Sequence, residues 1–277
     1  MRTDDIEEIV EHALKEDLPD ITSEAIFAEH ERSQAWFVIK QDGVIAGLPA
    51  ARAVFAYLDD RSRFDLLKRD GDSVSKGDAV AVVNGSVRAL LGGERTALNL
   101  LQRASGIATR TREYVRAVEG TGAQIFDTRK TAPGLRALDK HAVRMGGGNN
   151  HRFGLHDMYL IKNNHIDRAG SIQAAIQRVR DQGKKTPLMV EVRNMRELQQ
   201  ALASTPDFIL LDNMTPEMLK QAVQFTNGRV ALEASGGITL DTVRDVAEAG
   251  VQRISVGALT HSVTALDISM KIQSRET

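Results

Sequence analysis

Apolar and polar positions follow two different rhythms along this chain. Near the N-terminus, Ile6, Ile9, Val10, Ala13 and Leu14 recur at helical spacing behind the acidic turn Asp4-Asp5-Ile6-Glu7-Glu8. This predicts a helix capped by Thr3 and ended by Leu18-Pro19, with a capped helix and turn at Asp20-Ile21-Thr22-Ser23. Ala35–Ile39 and Val44-Ile45 read as strands joined by a hairpin turn at Asp42-Gly43. Pro49–Leu58 reads as a helix, and Ala79–Val83 as a strand entered through the turn Asp70–Asp78. A long helix is predicted from about Val87 to Val118, with Leu98, Leu101, Ser105, Ala108 and Val115 on a buried stripe interrupted near Gly106.

From residue 123 the rhythm changes to apolar runs alternating with amphipathic stretches. Strands are predicted at Gln124–Asp127, Met158–Lys162, Leu188–Val192, Phe208–Asp212, Val230–Glu233 and Ile254–Gly257. Helices are predicted at Met195–Ala203, Pro216–Phe225, Leu240–Ala249 and a closing one from Val263. Such alternation predicts a parallel α/β sheet. A repeat of about twenty residues favours a barrel over a doubly wound sheet.

Four of these strands carry one charge among aliphatics: Lys162 after Ile161, Glu191 between Val190 and Val192, Asp212 after Leu211, and Glu233 after Leu232. A charge in a buried strand costs several kcal/mol unless it is paired or bound. Charges in one phase on successive strands point to a site at the barrel mouth, where strand C-termini converge, or to an ion-pair network inside the barrel. Lys162 and Glu191 are the expected pair when no ligand is bound. The glycine loops Ser235-Gly236-Gly237 and Val256-Gly257-Ala258 follow two consecutive strands. Barrels commonly hold a phosphate on backbone N–H groups at that position.

Charge sharpens this picture. The chain of 277 residues has a formal net charge of -1. The stretch Asp127–His165 nevertheless holds Arg129, Arg136, Arg144, Arg152, Lys130, Lys140 and Lys162 against Asp127, Asp139 and Asp157. Arginine beside glycine and turn residues suits bidentate binding of carboxylate or phosphate better than a solvated lysine face does. The charge pattern alone therefore predicts a small polyanionic ligand at a barrel mouth, turned over by an enzyme or held by a sensor.

Composition excludes other classes. Near-zero net charge and a single Trp36 argue against nucleic acid as a partner. No cysteine means no disulfide, thiolate metal site or cysteine nucleophile, which fits a cytoplasmic setting. Met1–Asp5 lacks the apolar core of a signal peptide, and no apolar run approaches the roughly 18 residues of a membrane span. His151, His156 and His165 fall in separate elements, which argues against zinc. Gly146-Gly147-Gly148 lacks the dinucleotide fingerprint, and no Walker pattern occurs. The turn around Lys76 is similar to that of biotinyl carriers, but Ser75 and Gly77 flank it instead of Met, so it is read as structural.

The ordered motifs Asp127-Thr128-Arg129-Lys130-Thr131 with Pro133-Gly134-Leu135-Arg136, Gly146-Gly147-Gly148-Asn149-Asn150-His151-Arg152 and Leu160-Ile161-Lys162-Asn163-Asn164-His165 resemble the quinolinate phosphoribosyltransferase family. The resemblance extends over nearly the whole chain. It implies an N-terminal α+β open-sandwich domain over residues 1–105, then an incomplete α/β barrel of six or seven mostly parallel strands over 106–277, whose last helix packs back on the first domain. The implied reaction joins quinolinate and 5-phosphoribosyl pyrophosphate to nicotinate mononucleotide, pyrophosphate and carbon dioxide, in NAD biosynthesis.

The resemblance also implies roles. Thr128, Arg129, His151 and Arg152 would bind substrate. Lys130, Lys162, Glu191 and Asp212 would be catalytic, with Glu191 and Asp212 also holding Mg²⁺ directly or through water. Ser235, Gly236, Gly237, Val256, Gly257 and Ala258 would hold the ribose 5-phosphate. Arg95, in Glu94-Arg95-Thr96-Ala97-Leu98-Asn99, would reach the neighbouring subunit's site, making a homodimer. Asn163 and Arg193 stand where the family often has acids. A molybdenum-linked paralogue of the same fold and a nicotinate-using enzyme remain as rivals, separable by substrate.

Overall fold

The computed structural model describes residues 2–274. They form two compact units. The first comprises residues up to Arg112, the segment Thr131–Gly147 and residues from Leu259 onward; the second comprises Glu113–Lys130 and Gly148–Ala258.

The first unit begins with helices α1 (Thr3–Leu14) and α2 (Ile21–Ile26). In α1, Ile9, Val10 and Leu14 form the buried face, and the capping position falls on Arg2 rather than Thr3. Asp20 caps α2 by accepting from the Thr22 and Ser23 backbone N–H groups. Strand β1 (Arg32–Ile39), the short β2 (Gly43–Val44), α3 (Leu48–Leu58), β3 (Arg63–Leu66), β4 (Ser73–Val74), β5 (Ala79–Ser86) and the 31-residue α4 (Val87–Ala117) follow. Alternation along β1 buries Ala35, Phe37 and Ile39. The Phe37, Phe55 and Phe64 rings pack 5.8–6.2 Å apart, joining β1, α3 and β3. The Asp70 carboxylate accepts from the Gly47 and Leu48 backbone N–H groups, both at 3.0 Å, and so caps α3.

Two expectations fail between β1 and α4. Strands β1 and β2 form no hairpin: β2 pairs with β4. Ile39 instead exchanges backbone hydrogen bonds with Gly77 and Asp78, and Asp42 accepts the Lys76 N–H at 2.8 Å, so the chain turns toward a later segment. The long helix forms as predicted, as α4, but its buried stripe is not interrupted near Gly106, which is itself buried. A Cβ at Gly106 would overlap the Thr264 carbonyl, so the glycine serves close packing of a returning segment, not a break.

The second unit starts with β6 (Gln124–Phe126). The helix α5 (Arg136–Met145) then belongs to the first unit, where buried Asp139 receives two hydrogen bonds from Arg103 at 2.8 and 2.9 Å. After it come β7 (Tyr159–Ile161), α6 (Asn163–Ala169), α7 (Ile172–Arg180), β8 (Leu188–Val192), α8 (Met195–Ala203), β9 (Phe208–Asp212), α9 (Pro216–Thr226), β10 (Ala231–Ser235), α10 (Val243–Glu248), β11 (Arg253–Ser255) and α11 (Ala258–His261). Six parallel strands form one sheet in the order β6-β11-β10-β9-β8-β7. Strands β6 and β7 lie at opposite ends of this order, so the barrel is incomplete. Ser171, Asn194 and Thr215 side chains cap α7, α8 and α9.

The closing helix predicted from Val263 is absent. Residues Ile268–Ile272 form the strand β12, which pairs antiparallel with β1 in the four-stranded order β12-β1-β5-β3. Ile268 and Met270 are buried while Ser269 and Lys271 are not, a period of two that suits a strand.

Candidate active site

All six parallel strands deliver their C-terminal ends to one edge of the second unit. β6 passes into Asp127-Thr128-Arg129-Lys130, β7 into Lys162, β10 into Gly236-Gly237 and β11 into Val256-Gly257-Ala258, while β8 carries Glu191 and β9 ends at Asp212. Glu191 and Glu233 both lie level with Leu210, and Ser235 lies level with Asp212. Side chains of level residues in a sheet share a face, and residues two apart on a strand do too. The strand charges therefore converge as expected.

Lys162 Nζ lies 3.1 Å from Glu191 Oε2, so the expected pair is formed. Glu191 is buried, and its other carboxylate oxygen accepts the Asn163 backbone N–H at 3.4 Å. Lys162 caps α6 through its backbone N–H, which donates to His165 Nδ1 at 2.9 Å. This cap holds the base of the lysine and leaves its exposed ammonium at the sheet edge.

Positive charge is concentrated at Arg129 and Arg152. The Arg152 guanidinium is held below its ordinary value first by burial and then by the nearby Arg129 cation, with Asp157 opposing. Two neighbouring guanidinium groups make a place that attracts a dianion. The loop carrying Arg152 is tied down on both sides. Fully buried Asp127 accepts the His151 backbone N–H at 2.8 Å and the Asn150 side chain at 2.6 Å. Asp157 accepts the Phe153 and Gly154 N–H groups, and Arg152 Nη1 donates to the Met158 carbonyl at 3.2 Å. The Thr128 hydroxyl accepts the Lys130 N–H at 3.0 Å and shapes the turn that presents Arg129 and Lys130.

His151 and Glu233 point inward. His151 Nε2 lies 3.3 Å from Glu233 Oε1, and Glu233 also receives the Arg253 guanidinium at 2.7 Å and the Ser255 hydroxyl. Burial pushes the Glu233 carboxyl up, but His151, Ser255 and Arg253 outweigh it and hold the group below the usual carboxylate range. The strand charges thus divide: Lys162, Glu191 and Asp212 lie toward the edge, whereas Glu233 belongs to an interior ion-pair network.

The Ser235-Gly236-Gly237 loop adjoins Asp212. Gly236 has φ +102°, and a Cβ there would overlap Asn213 Oδ1. The Asn213 N–H donates to the Ser235 carbonyl at 2.8 Å, and its side chain donates to Asp212 at 3.0 Å. The Val256 N–H already donates to the Phe126 carbonyl at 2.9 Å, so Val256 shapes its loop without offering a donor.

Among the described residues no group of three or more His, Cys, Asp or Glu side chains is placed to hold a metal ion. Both Glu191 oxygens already receive donors, whereas Asp212 accepts from the Asn213 side chain at one oxygen. Mg²⁺ fits this edge only as an ion held largely by substrate oxygens and water, with Asp212 as the better-suited carboxylate. Arg95 lies exposed on α4 in the first unit. An apolar cavity of about 410 Å³ lies against β7, α6 and α7 and takes in none of the predicted charged site residues. Sequence reasoning missed Asp127, Glu233 and Arg253 as members of the site's support. Asp127 opens the basic motif and Glu233 is one of the four strand charges, but nothing in the sequence marks Arg253.

The family model described as the quinolinate phosphoribosyl transferase N-terminal domain matches residues 20–105, and that of its C-terminal domain matches residues 107–271. A Bacillus subtilis protein named probable nicotinate-nucleotide pyrophosphorylase (carboxylating) is 44% identical over 270 residues, covering 96% of this chain and 93% of its own. An Arabidopsis thaliana chloroplastic nicotinate-nucleotide pyrophosphorylase (carboxylating) is 42% identical, over 98% of this chain and 84% of its own. The crystal structure of NadC from Streptococcus pyogenes matches with a TM-score of 0.94 at 40% identity, covering 99% of this chain and 98% of that one. The chain belongs to the quinolinate phosphoribosyltransferase family.

Proposed function

We propose a division of labour at the sheet edge for the reaction of this family. That reaction transfers phosphoribose from 5-phosphoribosyl pyrophosphate to quinolinate with decarboxylation, giving nicotinate mononucleotide, pyrophosphate and carbon dioxide for NAD biosynthesis. The observation that carries the assignment is the repelling pair Arg129 and Arg152, placed at the same edge as Lys162, Glu191, Asp212 and the glycine loops.

Quinolinate carries two adjacent carboxylates. Arg129 and Arg152 bind them, with Arg95 of the partner subunit completing the site in a homodimer. Each charge-assisted contact contributes about 1.5–3 kcal/mol. Lys130 and Lys162 face the pyrophosphate and the carboxylate that departs. When quinolinate binds, its charge competes with Glu191 for Lys162. Glu191 is then available to the ribose hydroxyls and to positive charge developing at C1. Asp212, with substrate oxygens and water, would hold Mg²⁺, which would supply neutralisation of the pyrophosphate charge. Ser235, Gly236, Gly237, Gly257 and Ala258 cradle the 5-phosphate, with Val256 setting the loop. Ribosylation makes the pyridine nitrogen cationic; the neighbouring carboxylate leaves as carbon dioxide, and C2 takes a proton. Positioning and preorganised charge suffice, without a covalent enzyme intermediate. A cytoplasmic setting belongs to the same proposal and fits a cysteine-free chain.

The test is turnover of quinolinate with 5-phosphoribosyl pyrophosphate and Mg²⁺, with nicotinate as the control. Nicotinate mononucleotide formed from quinolinate alone is the expected result. Product from nicotinate would reassign the arginines, and no product from either would move the chain to a binding role or to the molybdenum-linked paralogue.

A further inference from the structure

Both ring nitrogens of His151 are engaged within the second unit. Nδ1 accepts the Arg152 backbone N–H at 2.7 Å, so the proton of the neutral ring sits on Nε2, which faces Glu233 Oε1 at 3.3 Å. Glu233 is fully buried on β10 and takes further hydrogen bonds from Arg253 and Ser255. The Arg253 guanidinium lies 3.9 Å from the Phe126 ring centroid and 4.7 Å from that of Phe208. The cation that anchors Glu233 is therefore itself fixed by packing. A buried carboxylate held by three side chains is a rigid support. The imidazole it grips cannot turn toward a ligand without giving up both bonds. It passes its orientation to the backbone of the next residue, Arg152.

We propose that Glu233 is a positioning residue for quinolinate: acting through His151 from inside the sheet, it fixes the Arg152 backbone so that the guanidinium meets a carboxylate beside Arg129. The role of His151 is then to hold Arg152 in place instead of touching substrate, which departs from what the family resemblance implies. The inference rests on the assignment of Arg152 to quinolinate made above.

The test compares wild type with Glu233→Gln, whose amide presents a donor to the donors of His151 or Arg253. The expected result is a rise of about tenfold or more in KM for quinolinate, with KM for 5-phosphoribosyl pyrophosphate held within about twofold. Hydrogen exchange at the Arg152 amide, which needs no substrate, should accelerate. In a His151→Ala background, Glu233→Gln should add nothing further to the quinolinate KM. If Glu233→Gln does not fold, the pair Glu233→Gln with Arg253→Met removes both buried charges together, and the same split between substrates is expected. Equal rises for both substrates, an unchanged quinolinate KM or full additivity with His151→Ala would overturn the proposal. Wild type failing to turn over quinolinate would strike the substrate assignment instead, and exchange at Arg152 would still judge the coupling to Glu233.

Discussion

At the scale of single residues, the candidate site is built from charges held in fixed positions by their surroundings. Arg152 and Arg129 repel one another, and Lys162 is parked on a buried Glu191. Each arrangement is tolerated because the loops and strands around it are fixed by other bonds, such as the Asp127 contacts to Asn150 and His151. Arg129→Ala or Lys162→Ala should lower kcat/KM by about 10²–10³, the usual scale for losing preorganised charge. Near-normal turnover by either folded variant would remove that residue from the mechanism. The placement of Arg129, Lys130, Lys162 and Asp212 at strand C-terminal ends was legible in the sequence, because each closely follows or ends a predicted strand. Glu191 and Glu233 were not separable there: both are glutamates in aliphatic strands, and only their neighbours distinguish them.

At the scale of elements, close approaches between distant segments decide which local signals survive. Gly106 lies within α4 because the backbone at Thr264 and Ala265 passes against it. Gly106→Ala should lower stability by about 1–3 kcal/mol through overpacking, although alanine is the better helix former. A stabilised variant in a denaturant titration would refute that packing. The junction after α3 offers a second check. Asp59 is held below the usual carboxylate range: burial pushes it up, but the backbone N–H groups of Ser86 and Arg61 and the Arg32 guanidinium outweigh that. A lowered folded pKa means stability that is present above the unfolded value and lost as pH falls through the folded one. Asp59→Asn should therefore cost about 1–3 kcal/mol at pH 7 and progressively less as pH falls below the usual carboxylate range. A deficit that is flat with pH in paired thermal melts would contradict this assignment.

At the scale of the whole molecule, the proposed homodimer can be tested without a structure of it. Arg95→Ala and Lys162→Ala should each be nearly inactive alone. If Arg95 serves the partner subunit's site, mixed subunits would contain one intact site per heterodimer. A 1:1 mixture after subunit exchange should recover about a quarter of wild-type activity. No recovery despite demonstrated exchange would place Arg95 in its own subunit's site, and near-normal activity of Arg95→Ala alone would place it outside the chemistry.

Amino-acid order by itself determined the strand–helix alternation after residue 123, the long α4, the edge where strand ends converge and the charged residues placed at that edge. These follow from periodicity and residue chemistry, which act over a few neighbours along the chain. Tertiary structure alone decided that β2 pairs with β4, that the last segment becomes β12 beside β1, that α5 joins the first unit, and that Glu233 turns inward to His151 and Arg253. Each depends on a partner remote in sequence, and a short apolar segment takes the conformation that buries its side chains and satisfies its backbone hydrogen bonds where it lands.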